Sequence, residues 1–425
     1  MKELKIKFRW ETKFKETEIG KIPKDWEVKK LGEISEITTG GTPRRNNPLY
    51  WNGNINWLKS QEVADNYIYD TEEKITELGR KNSNARKIYS PGTLILALYA
   101  SPTAGRVAIL KTYSTINQAL AAIEGENNMF LFFSLIANRE RLLLSASGAA
   151  QQNLNLKLVK DFEIPFPPPP EQSRIANVLS WFDDLIEVKK RQNKILEKTA
   201  MAIFKSWFID FEPFRDGEFV YSEELGKEIP KGWEVDKTTK LIDYNPSVSI
   251  EEGKILPFVE MKDVSTNSLI CDFSFKTFTG SGVRYFGGDT LMARITPSLE
   301  HGKTAFVWFI SEKENGFGST EFFVLHPKKS YIKEFVYLLA KSNDFREVAI
   351  NSMSGTSGRQ RADINALKNY LIPIPPSHIL QSFHSLVEPL FQKIILNQKQ
   401  IITLRKIRDT LLPLLVFGKL RVEEV

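Results

Sequence analysis

The feature that most constrains the fold of this chain is an internal repeat. The segment Glu18-Ile-Gly-Lys-Ile-Pro-Lys-Asp-Trp-Glu-Val28 returns as Glu224-Leu-Gly-Lys-Glu-Ile-Pro-Lys-Gly-Trp-Glu-Val235, with the prolines and the tryptophans 207 positions apart. Much later, Ile164-Pro-Phe-Pro-Pro168 returns as Ile372-Pro-Ile-Pro-Pro376 at nearly the same spacing. Solenoid repeats run only about 20–50 residues. This longer period therefore indicates the duplication of a whole domain together with the element that follows it.

The composition is that of an ordinary globular protein. Of the 425 residues, 42% are hydrophobic and 26% are charged, a length and balance typical of roughly two to three domains. Cys271 is the only cysteine, which excludes an intramolecular disulfide and fits a reducing compartment. The charged N-terminal segment has no signal-peptide character, and no apolar run approaches the ~18 residues of a membrane span. We therefore expect a cytoplasmic protein that does not contact a membrane.

Each repeat divides into a globular part and a helical part. The globular parts, residues 1–165 and 216–373, mix short apolar runs with glycine, proline and asparagine. Runs such as residues 93–98 predict buried strands, and helical stretches follow them. We therefore predict two similar α/β (α+β) domains. Each is followed by a spacer helix, within residues 166–215 and 374–425.

The two spacer segments carry the apolar pattern of a coiled coil. The prolines of residues 165–170 are expected to exclude helix, and no glycine or proline then occurs from Glu171 to about Phe211. Apolar residues alternate in steps of three and four. They are Ile175, Leu179, Phe182, Ile186, Leu196, Ile203 and Trp207 in the first copy, and Phe383, Val387, Leu390, Ile394, Ile401, Leu404, Leu411 and Leu415 in the second. Because each stripe needs a partner, we predict that the two helices pair antiparallel and hold the domains apart.

Polar residues interrupt both stripes. Lys189 and Asn193 stand in the first, and Asn397 and Arg408 stand in the second. Buried polar residues at such positions commonly fix the register of a coiled coil, at some cost in stability. Alternatively, the helices fray or bend at these positions. The sequence leaves both interpretations open.

The motifs expected of an enzyme are incomplete. Gly302-Lys-Thr304 resembles the end of a phosphate-binding loop, but Pro297 stands where that loop requires a glycine. The Asn/Asp-Pro-Pro-Tyr/Phe motif of an adenine methyltransferase does not occur, and the four histidines are too scattered for a zinc site. We therefore predict a non-catalytic chain that itself binds neither a metal ion nor a cofactor.

Together these features resemble the specificity subunit of type I restriction-modification systems. The resemblance covers nearly the whole chain. It rests on residues 22–28, Gly40-Gly-Thr-Pro43, Tyr50-Trp51, Trp57-Leu58, Ser147-Gly148, Gln151-Gln-Asn-Leu-Asn-Leu156, and residues 164–168 leading into Glu171-Gln172. In the second copy, Ser354-Gly-Thr-Ser-Gly-Arg-Gln360 replaces the glutamine-rich segment. That difference suggests that the two domains read different DNA sequences.

The resemblance implies two target-recognition domains, each contacting one half of a split, asymmetric site in double-stranded DNA. It also implies that the helices act as a spacer and as a docking surface for modification (methyltransferase) subunits, two per chain. Those subunits would bind S-adenosylmethionine, while restriction subunits would use ATP and Mg to translocate and cleave DNA; none of these cofactors is expected on this chain. One alternative is a coiled-coil scaffold with two adaptor domains and no DNA specificity. Another is a nuclease or methyltransferase with an atypical site.

Basic and amide side chains are the candidates for DNA contact, because Lys and Arg bind phosphates while Arg, Gln and Asn read base edges. The candidates are Arg44, Arg45, Lys59, Arg106, Gln151, Gln152 and Asn153 in the first domain, and Lys262, Arg284, Arg294, Lys303, Arg359, Gln360 and Arg361 in the second. Any one of them could instead be a solvated surface charge, and Gln151 and Gln152 could cap a turn. Trp26 and Trp233 are predicted to be core anchors rather than platforms for stacking bases.

Overall fold

A computed structural model describes residues 6–99, 103–146, 153–356 and 358–424. The chain forms two compact units. Unit 1 consists of Met1–Leu185 with Thr403–Val425, and unit 2 consists of Ile186–Ile402. Both units mix strands with helices, as the α/β (α+β) prediction requires. Among the described residues, no helix is both long enough and apolar enough to cross a membrane.

Unit 1 contains most of the short strands of the first repeat. Its strands are β1 (Ile6–Trp10), β2 (Phe14–Thr17), β3 (Gly20–Pro23), β4 (Glu27–Lys30), β5 (Ser35–Thr39), β6 (Trp51–Leu58), β7 (Asn66–Ile68), β8 (Glu73–Ile75), β9 (Leu94–Ala97), β10 (Val107–Leu110), β11 (Thr115–Ile116), β12 (Leu120–Gly125), β13 (Glu163–Phe166) and, near the end of the chain, β26 (Leu420–Glu424). Its helices are α1 (Leu31–Ile34), α2 (Glu77–Lys81), α3 (Asn128–Ala137), α4 (Arg139–Ser145) and α5 (Leu156–Asp161).

Unit 2 has the corresponding elements of the second repeat. Its strands are β14 (Phe219–Ser222), β15 (Lys227–Pro230), β16 (Glu234–Lys237), β17 (Ile242–Tyr244), β18 (Ile255–Val259), β19 (Ser274–Thr277), β20 (Val283–Phe286), β21 (Thr290–Ala293), β22 (Thr304–Phe306), β23 (Asn315–Gly318), β24 (Phe322–Pro327) and β25 (Leu371–Ile374). Its helices are α7 (Lys333–Lys341), α8 (Asn343–Asn351) and α9 (Ile364–Lys368). Two long helices, α6 (Pro169–Phe208) and α10 (Ser377–Val416), contribute to both units.

Most strands of the two units follow the same order. The five-stranded sheet of unit 1 runs β5-β12-β9-β10-β7, and its first four strands correspond to the four-stranded sheet β17-β24-β21-β22 of unit 2. The second sheets are β11-β6-β8 and β19-β18-β23-β20, in which β6 and β18 each have one parallel and one antiparallel neighbour. Pro165 lies opposite Val28, as Pro373 lies opposite Val235. These matching registers confirm the duplication.

The main core of each unit lies between its helices and one sheet, which is the sheet that contains β9 in unit 1 and the sheet that contains β21 in unit 2. In unit 1, the side chains of Phe130 and Phe133 on α3 are fully buried against this sheet. The Asn127 side chain begins that helix by accepting from the Phe130 N–H at 3.0 Å, a capping bond of the kind worth about 1 kcal/mol. In unit 2, Val336 on α7 is buried in the same way. Trp26 is 0% exposed and Trp233 is 8% exposed, so both are core anchors as predicted.

The long helices begin and end slightly differently from the prediction. Both α6 and α10 are 40 residues long. Helix α6 begins at Pro169, so the expectation that residues 165–170 exclude helix is wrong for Pro169 and Pro170. Proline is tolerated in a first helical turn because the N–H it lacks would have no partner there. The helix ends at Phe208, before the predicted end near Phe211.

The predicted apolar stripes face the interior to different degrees. Ile175, Leu179, Ile186, Phe383, Val387, Ile394, Ile401 and Leu415 are buried, while Phe182, Leu196, Ile203, Trp207, Leu390, Leu404 and Leu411 are partly buried. Within unit 1, Arg408 of α10 donates to Asp183 of α6. Within unit 2, both helices contribute to the core described above.

The polar residues that interrupt the stripes pair with one another. In unit 2, the Asn397 side-chain amide donates to Asn193 Oδ1 at 2.8 Å, and Lys189 Nζ donates to Gln400 at 2.5 Å. Positions rise on α6 as they fall on α10, so the helices are antiparallel there. Both helices continue through these positions without a break. Asn397 is 0% exposed, so this pair favours the register interpretation over fraying.

The two ends of the described chain meet in unit 1. Strands β1 and β26 pair antiparallel, with Phe8 opposite Val422 and Trp10 opposite Leu420. This pairing has no counterpart in the sequence prediction. It places the last strand of the chain in the same unit as the first.

Candidate DNA interface

Each unit has a hairpin loop of the same form, and each of these loops carries a cation. In unit 1, the Ala97 N–H donates to the carbonyl of Arg106 at 2.9 Å, and in unit 2 the Ala293 N–H donates to that of Lys303 at 3.0 Å. A glycine with positive φ precedes each cation, as it must where the chain turns left-handed. Arg106 and Lys303 therefore occupy equivalent positions between β9 and β10 and between β21 and β22.

A second loop lies against this hairpin in each unit. In unit 2, the Ala362 N–H donates to the Arg294 carbonyl at 2.8 Å, and the Thr296 N–H donates to the Gln360 carbonyl at 3.0 Å. In unit 1, the Leu154 N–H donates to the Leu98 carbonyl at 2.9 Å in the equivalent place. The structure thus brings Arg294, Arg359, Gln360 and Arg361 together. Gln151 and Gln152 lie outside the described residues, and Asn153 stands at their edge.

The candidates on these loops differ in the exposure of their side chains and in whether those side chains have bonding partners. Arg359 is exposed, and its guanidinium has no bonding partner in the part of unit 2 that the structure describes. Arg361, by contrast, donates to both oxygens of Glu321, at 2.9 Å from Nε and 2.5 Å from Nη2. The Nε of Arg294 is buried and has no partner among the residues that the structure describes, and its guanidinium lies 5.0 Å from the centre of the Phe323 ring.

The side chains of three other candidates of unit 2 form hydrogen bonds or an ion pair. Lys303 Nζ donates to the Met261 carbonyl at 2.8 Å, and Arg284 donates to the Val248 carbonyl at 2.7 Å. Lys262 pairs with Glu260 at 2.6 Å. Because Met261 lies between Glu260 and Lys262, the Lys303 bond joins the hairpin loop to this second group of charges.

In unit 1, Arg44 and Arg45 follow the Gly40-Gly41 segment in the sequence, and Lys59 lies beside Arg45 through their shared partner Glu73. A Cβ on Gly40 would come within 1.8 Å of the Ile116 carbonyl oxygen, so only glycine fits. Arg45 and Lys59 both pair with Glu73, and the hydrogen bond from Arg45 is the main cause of the lowered pKa of Glu73. Arg44 is exposed, and its side chain meets no partner among the described residues.

Four charged members of these clusters were not identified from the sequence. Glu72 and Glu73 pair with Lys59, Glu260 pairs with Lys262, and Lys276 pairs with Glu260. Hydrogen bonds from Lys262 and Lys276 lower the pKa of Glu260 to about 2. The sequence around a charged residue on or beside a short strand does not indicate its ion pairs, because most of its partners come from other elements. In the described ranges, no group of three or more His, Cys, Asp or Glu side chains could hold a metal ion.

Comparison with known proteins agrees with this architecture. A family model described as "Type I restriction modification DNA specificity domain" matches residues 23–198 and 233–406. The chain is 40% identical to the type I restriction enzyme MjaIX specificity subunit of Methanocaldococcus jannaschii, over 99% of each chain. It is 30% identical to the EcoR124I/EcoR124II specificity subunit of Escherichia coli, over 40% of this chain and 43% of that protein.

A solved structure shares the fold. The S subunit of a type I restriction-modification system from M. genitalium aligns with a TM-score of 0.54 and 16% identity, over 92% of this chain and 96% of that one. Both halves of the chain match the family model, and the MjaIX specificity subunit resembles the chain over nearly its full length. The chain therefore belongs to the family of type I restriction-modification specificity subunits.

Proposed function

We propose that each unit of this chain reads one half of a bipartite, asymmetric DNA site. One observation carries the proposal: the two units build the same hydrogen-bonded pair of loops but place different side chains on it. Arg106 in unit 1 corresponds to Lys303 in unit 2, and the adjoining loop of unit 2 carries Arg359. Because Arg reads guanine bidentately while Lys offers a single point charge, equivalent positions would read different bases.

We further propose that each unit docks one modification subunit through its long helices. In unit 1, Trp181 and Leu185 on α6 are 44% and 50% exposed and lie one turn apart. In unit 2, Ile195 on α6 and Leu396 on α10 are 64% and 48% exposed. Large exposed apolar side chains that cluster on a surface are typical of protein interfaces. Exposed apolar side chains on the long helices of each unit support two modification subunits per chain.

As a specificity subunit, the chain is the non-catalytic component of its system. We propose that methyl transfer from S-adenosylmethionine takes place on the modification subunits. ATP and Mg would act on the restriction subunits. We expect the assembly to work in the cytoplasm, where the single, buried Cys271 stays reduced.

The experiment that tests the bipartite proposal maps methylated adenines in cells carrying this chain and its modification subunit. We expect one split site with two different halves. Arg359→Ala should relax or weaken only one half, and it should make the log–log salt slope of DNA binding shallower by about one if Arg359 contacts a phosphate. A scaffold without DNA specificity would leave no methylated site, and its binding would show no steep dependence on salt.

A further inference from the structure

In unit 1, one carboxylate holds two cations beside aromatic rings. Glu73 accepts from Arg45 and, at 2.9 Å, from Lys59. The Arg45 guanidinium lies 3.9 Å from the centre of the Trp51 ring and 4.9 Å from that of Trp57. A guanidinium this close to aromatic faces gains cation–π attraction as well as the ion pair. Arg45 is therefore fixed from two sides although about half of its side chain is exposed.

Unit 2 contains a cluster of the same kind. Glu260 accepts from Lys262 at 2.6 Å and from Lys276, and Lys276 Nζ lies 4.1 Å from the centre of the Phe258 ring. These four residues line an open cavity of about 590 Å³. The bond from Lys303 to Met261 connects the rim of this cavity to the loop proposed above to read DNA.

The two clusters stand at equivalent places in the repeat. Trp57 on β6 pairs in parallel with β11, as Phe258 on β18 pairs in parallel with β23. Two residues later, the Lys59 N–H donates to the Glu62 carboxylate at 3.0 Å, and the Glu260 N–H donates to that of Asp263 at 2.8 Å. Lys59 and Glu260 therefore occupy the same backbone position with opposite charge.

The neighbouring strand carries the compensating charge in each case. Glu73 begins β8 beside Lys59, and Lys276 lies on β19 beside Glu260. Both units thus keep a carboxylate bonded to a cation at this place, but the two charges are exchanged between the strands. In unit 1 the cation Lys59 directly follows β6, whereas in unit 2 the cation Lys276 lies on β19, the strand next to β18, and Lys262 follows Glu260. Each unit therefore has a different pattern of charge.

A carboxylate within a DNA-binding surface has an electrostatic cost. It repels phosphates and neutralises cations that would otherwise bind any DNA, so it lowers the affinity for every sequence. In return, it holds Arg and Lys in one geometry, which is what discrimination between base edges requires. A surface that only held phosphates would gain from the absence of Glu73 and Glu260.

We propose that Glu73 and Glu260 are specificity-determining positioning residues, each of which holds its cations in the geometry that distinguishes one half-site from random DNA. This inference rests on the proposed reading of one half-site by each unit. Each carboxylate would affect the reading of one half-site only. Both carboxylates would lower the affinity of the protein for non-specific DNA.

The test uses the complete modification complex with Glu73→Gln or Glu260→Gln in the full chain. Methylation mapping should show that Glu73→Gln relaxes one half-site by about tenfold while Glu260→Gln relaxes only the other. Random duplex DNA should bind more tightly to each variant, with a log–log salt slope steeper by about one. Glu77→Gln and Glu251→Gln remove exposed carboxylates paired with Arg80 and Lys254, and these matched controls should change neither half-site.

A charge-exchange variant separates this role from simple stabilisation. Lys59→Glu with Glu73→Lys retains the ion pair between positions 59 and 73 but moves its cation to the other position, and it removes the pairs of Glu73 with Arg45 and of Lys59 with Glu72. Because each lost surface pair contributes no more than about 1 kcal/mol, we expect a folded protein with a modestly lower melting temperature and an altered or relaxed first half-site. Wild-type specificity in this variant, or unchanged half-sites in both glutamine variants, would overturn the inference. If the wild-type complex itself methylated no bipartite site, the proposed function would fail instead.

Discussion

Arg421 joins three carboxylates from distant parts of the sequence. Its guanidinium donates to Glu11 at 2.5 Å, to Asp25 at 2.8 Å and to Glu171 at 2.5 Å, all within unit 1. Glu171 also accepts from the indole N–H of buried Trp26 at 3.1 Å. A buried carboxylate that loses its cation is left uncompensated, which is far more costly than losing an exposed ion pair.

We predict that Arg421→Met lowers the free energy of unfolding of unit 1 by about 3–5 kcal/mol, because Glu11 and Glu171 would remain buried without it. Lys21→Met is the matched control, since the Lys21 side chain is 69% exposed and pairs with exposed Glu16, outside the Arg421 cluster. That change should cost no more than about 1 kcal/mol. Chemical denaturation of both variants measures the difference, and equal losses would contradict the assignment.

Glu11 also makes the stability of unit 1 depend on pH. Burial opposes its charge, but the N–H groups of Lys13 and Thr12 and the guanidinium of Arg421 together lower its pKa to about 2. A depressed pKa contributes stability that is complete above the ordinary value of 4.5 and is lost as the pH falls towards 2. The stability difference between the wild type and Glu11→Gln should therefore be constant from pH 7 to about 5 and shrink below that. A constant difference down to pH 2 would disprove the coupling.

Among the elements, α6 and α10 show how a buried polar pair can specify register. The Asn193–Asn397 bond lies in the apolar seam of unit 2, with Asn397 fully buried. Sliding one helix by a turn would leave both amides among apolar side chains without partners. The cost of an unpaired buried amide exceeds the net gain of the bond itself, so the pair acts mainly against wrong registers.

We predict that Asn397→Leu destabilises unit 2 by about 1–3 kcal/mol, because it removes the N–H that donates to buried Asn193 Oδ1, while the Asn193 N–H keeps only its bond to the Ile394 carbonyl at 3.5 Å. Adding Asn193→Leu should recover most of that loss. Lys194→Leu, at an exposed position of α6, is the control and should change stability by less than about 0.5 kcal/mol. Denaturation curves of these variants form a double-mutant cycle, and a double variant weaker than Asn397→Leu would argue against the pairing.

The elements that could be predicted from the sequence are those with local patterns. The duplicated proline–tryptophan segments and the apolar stripes of α6 and α10 can be read from neighbouring residues alone. Long-range partners have no such signal: nothing near Arg361 indicates its ion pair with Glu321, and nothing near Lys59 indicates Glu73. Basic candidates for DNA contact can therefore be named from the sequence, and that assignment stays a prediction, whereas the carboxylates that pair with some of them cannot be named in this way.

At the scale of the whole molecule, unit 1 depends on both ends of the chain. Deleting residues 420–425 removes β26, the partner of β1, together with Arg421. We predict that amide hydrogen exchange then becomes faster throughout unit 1 while protection in unit 2 is unchanged, because units with separate cores open independently. Glu424→Ala, which changes only an exposed side chain, should leave both units protected. Equal loss of protection in both units would mean that they unfold together.

The division of the chain between the units also has a consequence for synthesis. Unit 2 is one continuous stretch, Ile186–Ile402, whereas unit 1 needs Thr403–Val425 as well as the first part of the chain. A ribosome therefore supplies all of unit 2 before it supplies the strand that completes unit 1, although unit 1 was begun first. A premature stop codon or a late frameshift spares unit 2 but leaves unit 1 unfinished. The pairing of β1 with β26 thus makes a folded first unit a sign that translation has passed Glu424.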